Sequence, residues 1–399
     1  MKISQRAKDV SPSLTLELTA KAKKMKEEGR DVVSFGAGEP DFNTPEYVRE
    51  GAKEALDKGM TKYTPASGTV ALKTAICKKM QKDNNLTYSA QDVVVSNGAK
   101  HALHNAIQAV VEEGDEVIIP APFWLTYPEL VKLAGGKPVY VYTSESNGFK
   151  LTAEQLEKAI TDKTKAIILN NPNNPTGAVY TKDEIYALAK VIEKTDICVI
   201  SDEIYEVLNY TGEPVVSIAT YSEKLKEQTI IINGVSKSYA MTGWRIGYTV
   251  APTAVSKAIA NMQSHMTSNP NSIAQHATLV AYESQEGDAF LKEMLDSFAR
   301  RRTLIMKKLD EIPTLTYVRP DGAFYVLLCV KSLFGKSVEG VKVNSAMDFA
   351  SVLLEKADVT VIPCESFGAG DYVRLSYAIS DADIIKGVER IGEFVKKFN

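Results

Sequence analysis

The strongest constraint on the fold is a series of short, β-branched apolar runs that alternate with helix-length segments between about residues 91 and 250. The runs occupy residues 92–95, 116–119, 166–169, 197–200 and 229–232. Runs that are apolar at nearly every position are typical of parallel strands covered on both faces, and segments such as 182–193 have the length of crossover helices. We therefore predict an α/β fold whose large domain has a mostly parallel sheet flanked by helices.

A loop rich in polar residues follows each predicted strand. These loops lie at residues 96–100, 120–124, 170–177, 201–205 and 234–237. In an open α/β sheet, ligands bind beyond the carboxyl ends of the strands. The loops are therefore expected to meet at one edge of the sheet and to form the binding site there.

The chain of 399 residues is too long for one ordinary core, and its last hundred residues change character. A basic helix around residues 300–302 precedes β-type stretches at 322–328 and 372–377, which is typical of a smaller α+β domain. The first 43 residues are too short to fold alone and should pack on this domain or on a partner subunit. We predict an N-terminal segment over 1–45, a large domain over 46–290 and a small domain over 291–399.

Composition excludes several functional classes. The 47 basic and 50 acidic residues give a net charge of −3 without a block of like charge, so a nucleic-acid partner is not expected. Neither a secretory leader nor a run of about twenty apolar residues is present, so we expect a cytoplasmic protein without a membrane partner. The 4 cysteines are widely spaced, which favours buried free thiols. His101 and His104 share a helical face but have no third ligand, so no metal site is predicted.

Lys237 directly follows the last apolar run, and Arg245 comes eight residues later. A single lysine after a strand is usually a solvated surface group. Paired with an arginine that can grip a phosphate, however, it suits a Schiff base with a phosphorylated aldehyde. The pattern points to pyridoxal phosphate as cofactor.

Three polar residues at neighbouring strand ends fit the ring of that cofactor. Asp202 would keep the ring nitrogen protonated, although aspartate is also a common helix N-cap. Tyr205 and Asn174 would donate hydrogen bonds to the ring oxygen, although a packed tyrosine and an asparagine-rich turn are the ordinary alternatives. Their value as site residues depends on Lys237.

Further candidates surround the same predicted edge. The turn from Gly98 through Ala99 to Lys100 opens a helix, whose free amides suit a phosphate. Trp124 would stack on the ring, or lie in a core or an interface. Arg374 would bind an α-carboxylate through both of its terminal nitrogens, or form a salt bridge between domains.

With these residues in place, the chain closely resembles, from end to end, the class I aminotransferases of fold type I, in the subgroup of bacterial aspartate aminotransferases. The motifs that carry the resemblance lie at residues 34–42, 62–64, 174–177, 201–205, 236–247 and 374–377. The resemblance implies a large domain with a seven-stranded sheet and a smaller α+β domain. It also implies pyridoxal phosphate chemistry with amino acid and 2-oxo acid substrates.

The resemblance assigns roles to individual residues. Lys237 is the Schiff-base lysine, and Asp202 and Tyr205 are its catalytic partners. The residues implied to hold the cofactor are Gly98, Ala99, Lys100, Trp124, Asn174, Asp202, Tyr205, Ser236, Lys237, Arg245 and Tyr63. The residues implied to contact the substrate are Gly38, Trp124, Asn174, Arg374, Lys100, Ser13 and Thr15.

Two of these roles have wider consequences. Tyr63 reaches the phosphate of the neighbouring subunit in this family, which implies a homodimer with shared active sites. Lys100 would bind the distal carboxylate of a dicarboxylic substrate, with Ser13 and Thr15 closing over it. One position departs from some relatives, which have a serine three residues before the lysine where this chain has Gly234. The phosphate contacts are expected to be redistributed accordingly.

The leading hypothesis is therefore an aspartate aminotransferase that transfers the amino group of L-aspartate to 2-oxoglutarate by a ping-pong mechanism. A preference for aromatic amino acids, alanine or prephenate stays open. A β-lyase on the same fold is a second alternative, and it would turn over without a 2-oxo acid. A non-catalytic regulator that retains the cofactor is disfavoured, because only about forty residues precede the aminotransferase pattern.

Overall fold

The computed structural model of the protein, which describes residues 1–10 and 14–399 apart from the side chains of residues 6 and 14–17, contains two main sheets and the helices that cover them. Its strands are β1 (Val33–Ser34), β2 (Val93–Ser96), β3 (Glu116–Ala121), β4 (Lys137–Tyr142), β5 (Thr164–Asn170), β6 (Cys198–Asp202), β7 (Thr229–Gly234), β8 (Gly247–Val250), β9 (Thr316–Val318), β10 (Tyr325–Cys329), β11 (Ser337–Val338), β12 (Val341–Lys342), β13 (Val359–Thr360), β14 (Ile362–Pro363) and β15 (Tyr372–Ser376). The first sheet has the order β2-β8-β7-β6-β5-β3-β4.

The α-helices lie on both sides of this sheet and around the second one. They are α1 (Gln5–Asp9), α2 (Leu14–Glu27), α3 (Glu46–Asp57), α4 (Val70–Asn84), α5 (Ala99–Val110), α6 (Thr126–Leu133), α7 (Ala153–Ala159), α8 (Lys182–Ile192), α9 (Glu223–Gln228), α10 (Val235–Ser238), α11 (Thr253–Met266), α12 (Ser272–Glu283), α13 (Gly287–Leu309), α14 (Ala346–Ala357) and α15 (Asp381–Val395).

All the described neighbours in the seven-stranded sheet pair in parallel except β8, which runs antiparallel to β2 and β7. The five strands predicted from apolar runs are confirmed as β2, β3, β5, β6 and β7. The edge strand β4 and the reversed strand β8 do not come from such runs. The α/β architecture with a mostly parallel sheet is therefore confirmed, and the carboxyl ends of the predicted strands share one edge.

The sheet is buried on both faces, which explains why its strands are apolar at successive positions. In β3, Val117 and Ile119 pack in one cluster with Leu103 of α5, whereas Ile118 lies in another cluster with Leu188 of α8. Side chains of a strand alternate between its two faces, so each of these residues enters a different core. Both faces thus fix the sheet and the loops at its carboxyl edge.

Helix α8 shows how local sequence sets the element bounds. The Thr181 hydroxyl accepts the Glu184 amide, and the Glu184 carboxylate accepts the Thr181 amide in return. This capping box satisfies amides that the first turn of a helix leaves without partners. The predicted helix over 182–193 is confirmed to within one residue.

The second sheet is antiparallel, has the order β14-β15-β10-β9, and packs with α13, α14 and α15. The N-terminal segment joins the same core, since Leu18 and Met25 of α2 share a cluster with Phe349 of α14. Strand β1 also pairs in parallel with β13. The division of the chain at residues 45 and 290 stays a prediction, although the packing agrees with an N-terminal segment that docks on the small domain.

Cysteine burial differs in part from the prediction. All four cysteines are free thiols, but only Cys364 is fully buried, where burial raises its pKa, and Cys77, Cys198 and Cys329 are half-buried. Within the described ranges, no helix combines the length and apolar character needed to cross a membrane. The described His, Cys, Asp and Glu side chains also form no group of three or more that is arranged to hold a metal ion.

Candidate active site

The carboxyl edge of the large sheet and the small-domain sheet enclose a cavity of about 440 Å³. Most of the predicted site residues line it, namely Gly38, Ala99, Lys100, Trp124, Asn174, Asp202, Tyr205, Ser236, Lys237, Arg245 and Arg374. Strand order brings most of them together, because they lie beside strand ends of the large sheet that meet at this edge. Gly38 instead follows β1, and Arg374 lies within β15 of the small-domain sheet.

The other predicted residues lie elsewhere. Gly98 is in contact with the Arg245 guanidinium at the margin of the cavity. Tyr63 does not line the cavity of this chain, and 89% of its side chain is exposed. Ser13 and the side chain of Thr15 lie outside the described residues.

Lys237 lies in α10, the short helix that directly follows β7. Its Nζ donates a hydrogen bond of 2.5 Å to the Gly38 carbonyl and lies 5.9 Å from the centre of the Tyr205 ring. Burial lowers the pKa of Lys237 to about 8, and the positive charges of Arg374 and Arg245 act in the same direction, against Glu39 and Asp202. Such a lysine holds enough neutral amine near neutral pH to act as a nucleophile or a base.

Asp202 ends β6 at the floor of the cavity, where only 3% of the residue is exposed. Its Oδ2 accepts the Tyr127 hydroxyl at 2.7 Å, and its Oδ1 accepts the Ile204 amide at 3.3 Å. Burial nevertheless raises the pKa of Asp202 to about 6, against the effect of these donors and of Lys237. A carboxylate whose pKa is raised by burial is stabilised in its charged form by a cationic ligand beside it.

Replacing Tyr127 with phenylalanine should remove one donor from Asp202 and lower the free energy of unfolding of the ligand-free protein. The expected loss is about 2 kcal/mol at pH 8, where the carboxylate is charged, and about 1 kcal/mol at pH 5, where it is protonated. Urea denaturation at both pH values measures the difference.

Tyr180→Phe is the matched control, because the Tyr180 hydroxyl accepts a backbone amide, that of Leu151, at 2.7 Å. Its cost should be the same at both pH values, and an equally pH-independent cost for Tyr127→Phe would contradict the assigned bond to Asp202. In the unchanged protein, the pKa of Asp202 is about 6 in the folded state, which is above its ordinary value of 3.8. The Asp202 contribution to stability is present at low pH and is lost as the pH rises from about 4 to 6.

Arg245 and the start of α5 form a cationic corner of the cavity. Gly98 caps α5 with a φ of 86°, and a Cβ at this position would overlap the Arg245 guanidinium, so the close approach requires glycine. Arg245 donates to the Thr242 carbonyl at 2.7 Å, which fixes its direction. The guanidinium and the unpaired amides of the first helical turn together suit an anion such as phosphate.

Gly234 has no serine hydroxyl because no side chain fits there. A Cβ on Gly234 would lie 2.8 Å from the Gly247 Cα and 2.8 Å from the Ile246 carbonyl oxygen. The strands β7 and β8 approach each other at this point. Hydroxyl groups of Ser236 and Thr242, which both line the cavity, are the nearby alternatives.

Arg374 faces the cavity from β15, with 6% of the residue exposed. It donates to the Asn174 side-chain oxygen at 3.0 Å, and its guanidinium carbon lies 4.3 Å from the centre of the Tyr325 ring. Its buried Nε has no hydrogen-bond partner among the described residues. Because a guanidinium can bind both oxygens of a carboxylate and this one lines the cavity, Arg374 is suited to a ligand carboxylate.

Lys100 extends over the face of Trp124, with its Nζ 4.8 Å from the ring centre. Burial lowers the pKa of Lys100, and the nearby Arg245 adds to the effect. A cation in this partly desolvated position attracts an anionic group more strongly than it would in water. Lys100 and Arg245 are thus cations that line the same cavity as Arg374.

Several residues that shape the site were not predicted from the sequence. Tyr127, Tyr325, Asn170, Glu39 and Thr242 all line the cavity. Tyr127 lies three residues after Trp124, and the centres of the two rings are 5.6 Å apart. Tyr325 belongs to a stretch that we interpreted only as a strand, and its side-chain direction depends on pairing across the small sheet.

Comparison with known proteins identifies the family. The sequence profile described as "Aminotransferase class I and II" matches residues 30–391. The aspartate aminotransferase of Bacillus subtilis (strain 168) is 48% identical over 397 residues, which cover 100% of each chain. The probable aspartate/prephenate aminotransferase of Aquifex aeolicus (strain VF5) is 41% identical over 389 residues, covering 98% of this chain and 97% of that protein.

Solved structures agree with the sequence comparison. The aspartate aminotransferase from Rhizobium meliloti matches with a TM-score of 0.96 and 41% identity over 100% of both chains. The Thermus thermophilus aspartate aminotransferase with maleate matches with a TM-score of 0.93 and 42% identity, covering 99% of this chain and 100% of that one. The resemblance and the fold that it implies are thus confirmed, and the chain belongs to the family of class I and II aminotransferases.

Proposed function

We propose that the protein is a pyridoxal-phosphate-dependent aspartate aminotransferase, which converts L-aspartate and 2-oxoglutarate into oxaloacetate and L-glutamate. The observation that carries the proposal is the convergence of Lys237, Asp202 and Arg374 in one cavity. These residues supply a desolvated amine, a buried acid and a carboxylate clamp. Relatives named aspartate aminotransferase match the chain over its full length, which supports the assignment of the substrate.

The donor set of the cavity fits pyridoxal phosphate. Asp202 is buried with a raised pKa, so a protonated ring nitrogen would compensate its charge. Gly98 leaves room for Arg245 at the start of α5, where a phosphate would meet both the guanidinium and the amides of the first helical turn. When bound, this cofactor supplies an aldehyde that combines with an amine and a ring that accepts the electron pair left at the substrate Cα.

The protein's own residues then orient the substrate and move its proton. Arg374 binds the α-carboxylate, with Asn174 holding the guanidinium in place, and so fixes the direction of the Cα–H bond. Lys237 is the residue that would hold the cofactor's aldehyde until a substrate amine replaces it. With its pKa lowered to about 8, the free Lys237 amine would be able to take the proton from the substrate Cα and give it up again.

Lys100 supports a preference for dicarboxylic substrates. It lines the same cavity as Arg374, so one ligand with two carboxylates can meet both cations. Burial lowers the pKa of Lys100, so an anionic partner would favour its charged form. Aspartate and 2-oxoglutarate both carry the required second carboxylate.

Half-transamination tests the proposed substrate. The purified protein is mixed separately with L-aspartate, L-alanine, L-phenylalanine and L-tyrosine, and the visible band of the cofactor is followed as it disappears. Rapid loss with aspartate supports the proposal. Faster loss with an aromatic amino acid or alanine would replace it with a different aminotransferase, and turnover without any 2-oxo acid would indicate a β-lyase. Prephenate is added as a second acceptor, because some relatives are named for it.

Replacing Lys100 with glutamine should lower kcat/KM for aspartate by about 10- to 100-fold, which is the usual worth of a hydrogen bond to a charged group. Alanine lacks a distal carboxylate, so its kcat/KM should change by less than about threefold. Steady-state kinetics with both donors measures the ratio.

Lys182→Gln is the control for this prediction. Lys182 also lies over an aromatic ring, that of Tyr186, at 5.3 Å, but it does not line the cavity. Its replacement should leave kcat/KM unchanged for both aspartate and alanine. An equal loss for aspartate and alanine in Lys100→Gln would remove Lys100 from distal-carboxylate binding.

A homodimer is part of the proposal. Tyr63 is 89% exposed, and the apolar residues Leu56, Val70 and Met266 are 53%, 66% and 51% exposed. An interface with a second copy of the chain would cover apolar surface of this kind. In such a dimer, Tyr63 would donate its hydroxyl to the phosphate held by the partner subunit, as the family resemblance implies.

A further inference from the structure

Tyr325 links Tyr205 and Arg374, two residues of the proposed site. This link does not pass through Asn174. The Tyr325 hydroxyl lies 2.9 Å from the hydroxyl of Tyr205, and the Tyr325 ring lies under the Arg374 guanidinium at 4.3 Å. Both tyrosines are buried, with 1% of Tyr325 and 4% of Tyr205 exposed. The contacts therefore form in a medium where electrostatic effects are strong.

The pairing of the small sheet fixes this arrangement. Leu327 of β10 lies opposite Arg374 of β15, and Tyr325 is two residues before Leu327. Residues two apart in a strand point to the same face, so Tyr325 is a diagonal neighbour of Arg374 on that face. The aromatic ring and the guanidinium are thus held together by backbone pairing.

The direction of the hydrogen bond between the tyrosines follows from their proton count. A phenol has one proton to donate. In the proposed function Tyr205 donates this proton to the cofactor's ring oxygen, so its own oxygen must accept the proton of Tyr325. The chain of donation runs from Tyr325 to Tyr205 and then into the cavity, and consecutive hydrogen bonds in such a chain strengthen one another.

We propose that Tyr325 is a positioning residue that transmits the charge of the carboxylate clamp Arg374 to the phenol of Tyr205. The proposal rests on the proposed function and extends it from the substrate clamp to the cofactor. The cation over the Tyr325 ring makes its hydroxyl a stronger donor, and a stronger donation to Tyr205 makes Tyr205 a stronger donor in turn. A substrate carboxylate that neutralises Arg374 weakens the whole chain.

The surrounding charges agree with this direction. Burial raises the pKa of Tyr325, while Arg374 and the hydrogen bond with Tyr205 both lower it. Burial also raises the pKa of Tyr205, where Tyr325 adds to the rise, Arg374 opposes it and Asp202 adds to it. The Lys237 amine is the other cation beside Tyr205, at 5.9 Å from the ring centre. Arg374 is the cation that lies over the Tyr325 ring.

The consequence appears at the nitrogen that joins Lys237 to the cofactor. A hydrogen bond donated to the ring oxygen withdraws negative charge from it, so the neighbouring nitrogen holds its proton less tightly. Weaker donation by Tyr205 therefore raises the pH at which the visible band of the bound cofactor changes. Binding of a substrate carboxylate to Arg374 should raise this midpoint through Tyr325.

The test is a spectroscopic pH titration of the holoenzyme with and without maleate, a dicarboxylate. Tyr325→Phe should raise the midpoint of the maleate-free protein by roughly 0.3 to 1 pH unit, which corresponds to one hydrogen bond at most. The further rise caused by maleate should be smaller than in the unchanged protein. Cofactor content, measured after alkaline release, shows that the variant is loaded.

A double-mutant cycle shows whether Tyr325 acts through Tyr205. In a Tyr205→Phe background, Tyr325→Phe should shift the midpoint by less than about 0.2 unit, because the chain of donation is already broken. Tyr377→Phe is the matched control, since the fully buried Tyr377 donates to the Ala323 carbonyl at 3.1 Å and does not line the cavity. It should leave the midpoint unchanged.

Three results would overturn the proposal. These are an unchanged midpoint in Tyr325→Phe, an equal shift with and without the Tyr205 hydroxyl, and the same shift in Tyr377→Phe. If the unchanged protein has no visible band with added cofactor, the proposed function itself fails and this inference fails with it. A normal band with a failed cycle overturns only the role of Tyr325.

Discussion

Replacing Lys237 with alanine will abolish amino transfer, with kcat lowered by more than about 10⁴-fold, and will end covalent attachment of pyridoxal phosphate. The proposal assigns two tasks to this one amine, the link to the cofactor and the transfer of the Cα proton. Among the described residues that line the cavity, the one other lysine is Lys100, which lies over Trp124. Borohydride reduction followed by peptide mass analysis measures attachment, and single-turnover kinetics with aspartate measures transfer.

Lys73→Ala is the control for Lys237→Ala. Burial also lowers the pKa of Lys73, and its amine donates to the Ser67 hydroxyl at 3.0 Å outside the cavity. It should keep both attachment and turnover. Normal turnover in Lys237→Ala would exclude the proposed chemistry, even if the cofactor still binds without a covalent bond.

Replacing Asp202 with asparagine should lower kcat by about 10³-fold, because the ring nitrogen loses the charge that keeps it protonated. The same change should stabilise the ligand-free protein at pH 8 by up to about 3 kcal/mol, since the folded pKa of about 6 stands above the ordinary 3.8. The stabilisation should vanish below about pH 4, where the carboxyl group is protonated in both states. Loss of activity with gain of stability is the expected signature of a strained functional group.

Glu203→Gln separates the two effects. Glu203 is a neighbouring buried carboxyl group whose pKa burial raises to about 7, and its Oε1 accepts the hydroxyls of Ser201 and Ser217 at 2.9 and 2.6 Å. Glu203 does not line the cavity. Its replacement should therefore change how the free energy of unfolding depends on pH, but should lower kcat by less than about tenfold. A comparable loss of activity in both variants would show that burial of charge, rather than contact with the cofactor, underlies the effect of Asp202.

The residues that could be predicted from sequence are those whose position depends on strand order alone. Asp202 and Lys237 directly follow apolar runs, and parallel strands bring such ends together whatever the packing details. Tyr127 and Tyr325 could not be assigned in this way. Their roles depend on which way a helix face and a strand face turn toward the cavity, and tyrosines are common in both settings.

The missed strands have a similar explanation. Strand β4 lies at the edge of the sheet, and all six of its residues are exposed or half-buried, so its sequence resembles that of an ordinary surface segment. Strand β8 is fully buried but short, and it begins at Gly247 within the motif that carries Lys237 and Arg245. Its apolar signal is therefore too brief to distinguish from a loop.

The reversed direction of β8 explains why Arg245 can follow Lys237 after only seven intervening residues. A parallel return would need a crossover of a dozen or more residues, whereas an antiparallel neighbour is reached by a short connection. Because β8 starts where the other strands end, Arg245 arrives beside Gly98 at the same edge, with Gly247 opposite Ser96. The number of residues between Lys237 and Arg245 is thus set by the distance that the chain must span. An insertion there would move Arg245 away from Lys237, even though both side chains would still be present.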